Sequence, residues 1–323
     1  MRRLLAGLAV GSFLVAASAC GSSDGGGASD KNASSGGTTT VKVGVIPIVD
    51  VAPLYLGQQK GFFSKRGLKL SMTTAQGGAA IVPGVVSGQF QFGFSNMTSL
   101  MIAQSQNVPV KAVVNGVAST GVAGKDFGAI TVKKGSPIKS AKELEGKKVA
   151  VNTLKNINET AVRESVRKAG GDPSKVKFVE LAFDQMPAAL DSGQIDAAMV
   201  VEPALATVKS QGATEIASSL VDVAKDLTVA MYFTSTQYEQ KNPDVVKKFQ
   251  EATAESLAYA DAHPDEVRQA VTTYTKIPAA TLAQVTLPKW PAEANRASIE
   301  ALEKLGAQDG LFKSTPDLDK LLP

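Results

Sequence analysis

Short apolar runs alternate with amphipathic segments along most of the chain between residues 41 and 201. Each run has the length of one buried strand, and the amphipathic segments space their apolar positions as helices do. The predicted strands lie near residues 41–46, 69–74, 90–94, 110–114, 129–132, 148–152, 176–180 and 197–201. Strands that alternate with helices predict an α/β fold with mostly parallel sheets flanked by helices.

Two parts of this pattern resemble each other at a distance of about 105 residues. The stretches Pro83 to Phe94 and Pro187 to Met199 both predict a helix, a Ser-Gly-Gln turn and a short apolar strand. Upstream of them, Lys42 to Val45 matches Lys148 to Val151. The same β-α-β-α-β block is therefore predicted twice, which indicates two lobes.

The remaining segments assign the boundaries of the lobes. The run from Leu227 to Thr234 predicts a strand that crosses back toward the first lobe, and residues 242–305 predict helices that pack on that lobe. The first lobe is expected at 41–120 plus 235–323, and the second at 121–234 with the crossing strand. About 280 residues exceed what one small core serves, which agrees with two lobes.

The N-terminal residues have the pattern of a secretory signal. Basic residues in Met1–Arg3 precede an apolar run from Leu4 to Ala17, which is too short to span a bilayer. We therefore expect residues 1–19 to be a removed signal peptide. Residues 20–40, rich in Gly, Ser and Thr, are expected to form a flexible tether.

Cys20 is the only cysteine of the chain and would become its new N-terminus. The sequence Ala17-Ser18-Ala19-Cys20 resembles the processing site of bacterial lipoproteins. That resemblance implies lipidation of Cys20 and anchoring of an exported protein to the outer face of the cytoplasmic membrane. The alternative is an ordinary cleavage site beside an incidental Cys20, because small residues suit both kinds of signal.

The rest of the composition excludes several classes of function. Without Arg2 and Arg3 the chain is close to neutral, and it has no basic stripe that would bind a nucleic acid. Its single histidine, His263, lies in a turn between predicted helices with no nucleophile at useful spacing. It also has no second histidine, cysteine pair or spaced carboxylate loop that would bind a metal. We therefore expect no catalytic residue, no metal and no cofactor.

Polar residues follow the predicted strands where each strand ends. In open α/β sheets ligands bind beyond the carboxyl ends of the strands, and two lobes that face each other there form a cleft that closes by hinge motion. The predicted ligand-binding residues are Asp50, Gln76, Gly77, Gly78, Asn96, Thr98, Thr153, Asn156, Asn158, Asp184 and Glu202. Each of them alone has a simpler alternative role, mainly helix capping. The prediction therefore rests on their shared location.

Motifs spread over nearly the whole mature chain carry a family resemblance. They are Ala52-Pro53-Leu54-Tyr55-Leu56, Lys60-Gly61-Phe62-Phe63, Ser87-Gly88-Gln89, Leu144-Glu145-Gly146-Lys147-Lys148, Gly193-Gln194-Ile195-Asp196-Ala197 and Glu202-Pro203. With them the chain resembles the nitrate/sulfonate/taurine-type substrate-binding proteins of ABC importers, a group that also includes binders of thiamine pyrimidine precursors. The resemblance implies the two-lobed periplasmic-binding fold (type II), with a small-molecule ligand in the cleft between lobes. It also implies an ABC permease with its ATPase as the partner, and a monomer.

The chemistry of the cleft loops bears on which solute is bound. None of the predicted residues is cationic, so an anion would be held by helix N-termini and neutral donors. The carboxylates of Asp50, Asp184 and Glu202 instead favour an ammonium group or another hydrogen-bond donor. We expect a small polar organic solute, an alkyl sulfonate or taurine-like molecule first and a pyrimidine-type thiamine precursor second.

Two other functions on the same fold stay open at this point. A ligand sensor would use the same cleft without handing its ligand to an importer. An enzyme is the other alternative, because the family resembles fungal pyrimidine synthases that use an active-site histidine and cysteines. This chain has no cysteine after Cys20, and His263 lies outside the cleft loops. We therefore expect that it is not an enzyme.

Overall fold

The computed structural model of the chain describes residues 37–323. The predicted signal peptide, Cys20 and nearly all of the predicted tether lie outside the described residues. Across the range that is described, none of the helices combines the length and apolarity needed to cross a bilayer.

The first sheet contains five strands. They are β1 (Thr39–Val45), β2 (Leu68–Thr74), β3 (Phe92–Asn96), β4 (Val110–Ala118) and β10 (Thr228–Ser235). Their order in the sheet is β2-β1-β3-β10-β4. β1 pairs in parallel with β2 and β3, whereas β10 runs antiparallel to both of its neighbours. Val41, Val43 and Val45 of β1 are fully buried, as expected for a central strand covered by helices.

The second sheet also contains five strands. They are β5 (Gly128–Val132), β6 (Lys148–Val151), β7 (Lys177–Glu180), β8 (Ala197–Val201) and β9 (Thr214–Ala217). Their order is β7-β6-β8-β5-β9, and here β5 is the strand that runs antiparallel to its neighbours. Strand by strand the order matches that of the first sheet. The predicted repeat and the two-lobed α/β fold with mostly parallel sheets are therefore confirmed.

Two strands depart from the sequence prediction. The crossing strand, assigned within 121–234 to the second lobe, is β10, and it is hydrogen-bonded inside the first sheet. Its residues from Val229 to Phe233 are all apolar, so its pattern could not show which sheet it joins. β9, at Thr214–Ala217, was not predicted.

Thirteen α-helices connect and flank the two sheets within residues 37–323. They are α1 (Ala52–Gln59), α2 (Gly78–Val86), α3 (Met97–Ser105), α4 (Ile157–Lys168), α5 (Met186–Asp191), α6 (Ala204–Ser210), α7 (Ser219–Val223), α8 (Thr236–Lys241), α9 (Pro243–Ala262), α10 (Pro264–Val271), α11 (Ala279–Leu282), α12 (Arg296–Gln308) and α13 (Leu318–Leu321). Each strand of the two parallel units is followed by a helix whose N-terminus lies at the carboxyl end of the sheet, where a cleft was predicted.

The C-terminal segment is less helical than predicted for residues 242–305. Between α10 and α12 the chain is mostly irregular, because Pro278, Pro288 and Pro291 interrupt it. α9 and α10 pack on α1 of the first lobe, as predicted. α12 instead contacts both lobes, through α3 and β10 on one side and α4 and α7 on the other.

Candidate functional site

Loops from the two lobes meet beyond the carboxyl ends of the strands. The side chain of Gln76, after β2, donates to the carbonyl of Asn152, after β6, at 2.7 Å, and Asn152 Nδ2 donates to the carbonyl of Gln76 at 3.1 Å. On another side, the N–H of Val49 donates to the carbonyl of Glu202 at 3.0 Å. These contacts join loops of the first lobe to loops of the second, so the lobes are closed on each other here.

Gly77 allows this close approach, and Gly78 allows close packing within the first lobe. A Cβ on Gly77 would lie 2.8 Å from Cγ2 of Thr153 in the other lobe, closer than two such carbon atoms pack. A Cβ on Gly78 would collide with the side chain of Ser95 at the end of β3. Gly77 is in extended backbone, so close packing rather than an unusual dihedral angle requires glycine here.

The N-terminus of α2 offers free donors at this seam. Its first residues are preceded by Gly77, which has no side chain to cap them. The N–H groups of Gly78 and Ala79 have no acceptor within the described part of the chain. Two buried hydroxyls, Oγ1 of Thr98 and Oγ1 of Thr153, likewise find no partner among residues 37–323. Thr98 lies in the first turn of α3, directly after β3, and Thr153 follows β6, so both lie where a strand ends.

Asparagines organise the corresponding loop of the second lobe. Asn156 caps α4 by accepting from the N–H groups of Asn158 and Glu159 at 3.0 and 3.2 Å. The side-chain amides of Asn156 and Asn158 both donate to Oδ1 of Asn152, at 2.7 and 2.8 Å. Asn156 and Asn158 thus hold Asn152 in position to meet Gln76. Asn152 itself was not among the predicted ligand-binding residues, although it too is a polar residue directly after a strand.

Asn96 has the simpler role that its position allows. Its Oδ1 accepts from the N–H of Ser99 at 2.9 Å and its amide donates to Ser99 Oγ at 3.0 Å, which caps α3. Asp184 is exposed and forms no side-chain hydrogen bond with the described residues. No hydrogen bond therefore ties Asp184 to the loops that meet.

Glu202 is buried, and both of its carboxylate oxygens are used within the protein. Oε1 accepts from the N–H of Thr286 at 3.0 Å and Oε2 from that of Ala206 in α6 at 2.9 Å. Burial raises the pKa of Glu202 to about 7, although these two donors act in the opposite direction. The carboxylate thus ties α6 to the C-terminal segment.

Asp50, in the 3₁₀ turn Val49–Val51, is also buried, but its carboxylate is not satisfied in the same way. Its Oδ1 is inaccessible and has no hydrogen-bond partner among residues 37–323. Burial raises the pKa of Asp50 to about 7, and the nearby charge of Asp126 adds to the increase. Trp290 Nε1 donates to the backbone carbonyl of Asp50 at 3.1 Å, which fixes the turn from the C-terminal segment.

Three tyrosines surround this turn and were missed by sequence reasoning. Tyr274 donates to the carbonyl of Ile48 at 2.9 Å and stacks on Tyr55 with ring centroids 4.0 Å apart. The hydroxyl of Tyr232, on β10, is buried without a partner in the described chain. Burial raises the pKa of Tyr232 and of Tyr274 well above the usual value, and the charge of Asp50 adds to both increases. No local pattern identifies Tyr232 and Tyr274, because they lie in distant segments, whereas Tyr55 lies in α1 directly after the turn.

Two cavities open elsewhere on the surface of the described residues. One, of about 580 Å³, is lined by residues that include Arg163, Arg167 and Asp309. The other, of about 350 Å³, lies between α9 and the Trp290 segment. Neither is lined by a predicted ligand-binding residue, so their shapes do not inform the seam between the lobes.

Replacing Gln76 by alanine is expected to weaken ligand binding about three- to tenfold. The variant loses one hydrogen bond between the lobes, worth about 0.5–1.5 kcal/mol. That hydrogen bond stabilises only the closed form, so its loss weakens binding. Isothermal titration with the bound solute would measure the change in Kd. Gln89, exposed in the turn after α2, provides the matched control, because Gln89→Ala should leave Kd unchanged. An unchanged Kd in Gln76→Ala would show that this contact does not form on binding.

Comparison with known proteins places these features in context. The family model described as "NMT1/THI5 like" matches residues 48–267. The chain is similar to the taurine-binding periplasmic protein of Escherichia coli (strain K12), with 27% identity over 228 residues, covering 70% of this chain and 68% of that protein. It is also similar to 4-amino-5-hydroxymethyl-2-methylpyrimidine phosphate synthase of Saccharomyces cerevisiae, with 21% identity over 225 residues, covering 66% of this chain and 64% of the synthase.

A solved structure shows the same fold. The alkanesulfonate-binding protein SsuA from Xanthomonas axonopodis pv. citri, bound to MOPS, superposes with a TM-score of 0.74. The alignment covers 89% of this chain and 99% of SsuA at 15% sequence identity. At that identity the match confirms the two-lobed architecture and does not identify a ligand.

Proposed function

Because this chain belongs to the NMT1/THI5-like family, we propose that it is an extracytoplasmic solute-binding protein of an ABC importer. It captures a small organic sulfonate between its lobes and delivers it to a membrane permease coupled to an ATPase. The taurine-binding relative supports this assignment, as does the fold shared with a sulfonate-binding protein. Cys20 is the proposed site of a lipid anchor that keeps the protein at the outer face of the cytoplasmic membrane.

The observation that carries the proposal is the set of unused donors where strands end in the two lobes. The N–H groups at the start of α2 and the hydroxyls of Thr98 and Thr153 have no partner in the described chain. A sulfonate spreads its charge over three oxygens that accept hydrogen bonds. The positive end of a helix dipole and neutral donors can hold such a group without a cationic side chain.

Binding explains the arrangement better than catalysis does. His263 lies at the junction of α9 and α10, where its ring stacks on Tyr259 at 3.8 Å and its Nδ1 contacts the carbonyl of the same residue. It is therefore engaged in a structural contact away from the seam. A pyrimidine-type solute is the second candidate, because the rings of Tyr55 and Tyr274 and the carboxyl of Asp50 suit a flat, amine-bearing heterocycle.

A thermal-shift screen of residues 21–323 tests the proposal. The solutes would be taurine, ethanesulfonate, nitrate, an aminopyrimidine and acetate as a control anion. A ligand at about a hundred times its Kd adds about 2.7 kcal/mol to stability, which shifts a melting curve measurably. We expect stabilisation by sulfonates. Stabilisation by the aminopyrimidine alone would favour the second candidate, and a response to none of the sulfonates would contradict the proposal.

A further inference from the structure

Exposed lysines gather at the end of the second sheet that lies away from the seam. β6 and β7 begin at this end, and β5 ends there because it runs antiparallel to β8. The basic face consists of five lysines: Lys133 and Lys134 directly after β5, Lys147 and Lys148 at the start of β6, and Lys177 at the start of β7. All are exposed except Lys147, which is half-buried. Residues 139–143, which connect β5 to β6, add two exposed lysines and one exposed glutamate.

The pairing of the strands brings the basic face together from three separate segments. Lys148 and Lys177 are paired positions on the adjacent strands β6 and β7. Val132, the last residue of β5, pairs with the first residue of β8, so Lys133 and Lys134 follow at the same end. No long basic run marks this face in the sequence, because the fold assembles it.

The first sheet provides an internal comparison, since it has the same strand order and matching pairs. The positions there that correspond to the basic face are Ser235, Thr236, Val41, Lys42 and Ser71. One of the five positions is cationic in the first lobe, whereas all five are cationic in the second. Nearby in the first lobe, Arg66 is paired with Glu251 and Glu255. The repeated architecture therefore does not require the lysines of the basic face.

Acidic side chains do not neutralise the basic face. Glu145 and Asp172 both pair with Lys175, which is not part of the face. Asp191 and Asp196 are exposed on either side of the turn before β8, so two carboxylates stand against five lysines. None of the five forms an ion pair with another residue in the range 37–323. Neighbouring like charges repel each other, and an anionic surface opposite them relieves that repulsion.

We propose that the basic face docks the second lobe on an anionic phospholipid membrane. The inference goes beyond solute binding and rests only on the proposed place of the protein at the outer face of the cytoplasmic membrane. Lysines close to an anionic bilayer are each attracted to it, and a lipid anchor holds more firmly when a basic surface adds a second contact. Because the basic face and the seam lie at opposite ends of the second sheet, docking leaves the loops that meet uncovered.

Sedimentation with lipid vesicles tests this docking. The protein would be residues 21–323 without a lipid, so that only its surface can bind. We expect binding to vesicles that contain phosphatidylglycerol and none to vesicles of phosphatidylcholine alone. Binding should be lost at about 1 M salt, where charges are screened within about 3 Å.

Two double variants of equal net charge separate the basic face from the charge of the whole chain. Lys133→Gln with Lys148→Gln should lower the partition coefficient at least tenfold, because each lysine near an anionic surface contributes a factor of about five. Lys42→Gln with Lys69→Gln is the matched control at the equivalent end of the first lobe, where both lysines are exposed. The control should stay within about twofold of wild type. Equal melting temperatures would show that both variants are folded.

Equal losses in the two double variants would overturn the basic face, because total charge would then explain the binding. Equal binding to both kinds of vesicle, or binding to neither, would overturn membrane docking. Binding to soluble polyphosphate but not to the vesicles would also overturn it and would indicate a different polyanion as the partner. Thermal stabilisation by the solute should be unchanged in Lys133→Gln with Lys148→Gln, so failure of the docking leaves the proposed solute-binding function standing.

Discussion

Replacing Trp290 by alanine is expected to lower the free energy of unfolding by about 3–5 kcal/mol, as is typical for a buried tryptophan. The indole is 3% exposed and its N–H binds the carbonyl of Asp50. The neighbouring Lys289 pairs with Ala118 through two backbone hydrogen bonds of 2.9 and 3.0 Å. Lys289 thus fastens the C-terminal segment to the end of β4, Trp290 fastens it to the Asp50 turn, and loss of the indole leaves a cavity beside that turn.

Chemical denaturation followed by circular dichroism would measure this change. Trp290→Phe is the matched control, because it keeps most of the apolar contact and removes the indole N–H, whose hydrogen bond is worth about 1 kcal/mol. Trp290 is the only tryptophan of the chain, so its fluorescence in wild type would also report ligand binding beside it. A loss below 1 kcal/mol in the alanine variant would mean that the segment is held by other contacts.

Replacing Gly77 by alanine is expected to weaken solute binding about thirtyfold. The added methyl group would lie 2.8 Å from Cγ2 of Thr153, and overpacking of this kind costs about 1–3 kcal/mol. A penalty of about 2 kcal/mol corresponds to the thirtyfold change in Kd. Because the two residues belong to different lobes, the penalty applies to the closed form. The free energy of unfolding measured without solute should change little.

A second-site change makes this experiment specific. Thr153→Ser removes Cγ2 and keeps the hydroxyl, so Gly77→Ala with Thr153→Ser should recover most of the lost affinity. Thr153→Ser alone should have a small effect. If the double variant binds as weakly as Gly77→Ala, the methyl group acts on α2 rather than on closure of the lobes.

The sequence predicted where helices and strands lie better than it predicted which strands pair with each other. The apolar run of β10 was recognised as a crossing strand, but only hydrogen bonding shows that it enters the first sheet between β3 and β4. The segment between α10 and α12 was predicted as helical although three prolines lie in it. A short strand with mixed polarity, such as β9, gives no periodic signal.

For the site, the strand-end rule located the loops and not the function of each side chain. Gln76, Gly77 and Thr153 do meet across the lobes. Glu202 and Asp184 were both predicted to bind the ligand. The Glu202 carboxylate instead accepts hydrogen bonds within the protein, and Asp184 is exposed. Tyr232 and Tyr274 could not be predicted as neighbours of Asp50, because local sequence patterns do not show contacts between residues that are distant in the chain.

The position of β10 has a consequence for the order in which the chain can fold. The first sheet cannot be completed until residues near Ser235 are available, since β10 separates β3 from β4. The second sheet needs only the continuous segment from Gly128 to Ala217. As the chain becomes available from its N-terminus, we expect the second lobe to form first. Meanwhile β3 and β4 keep open edges, and pairing over such long sequence separations is slow.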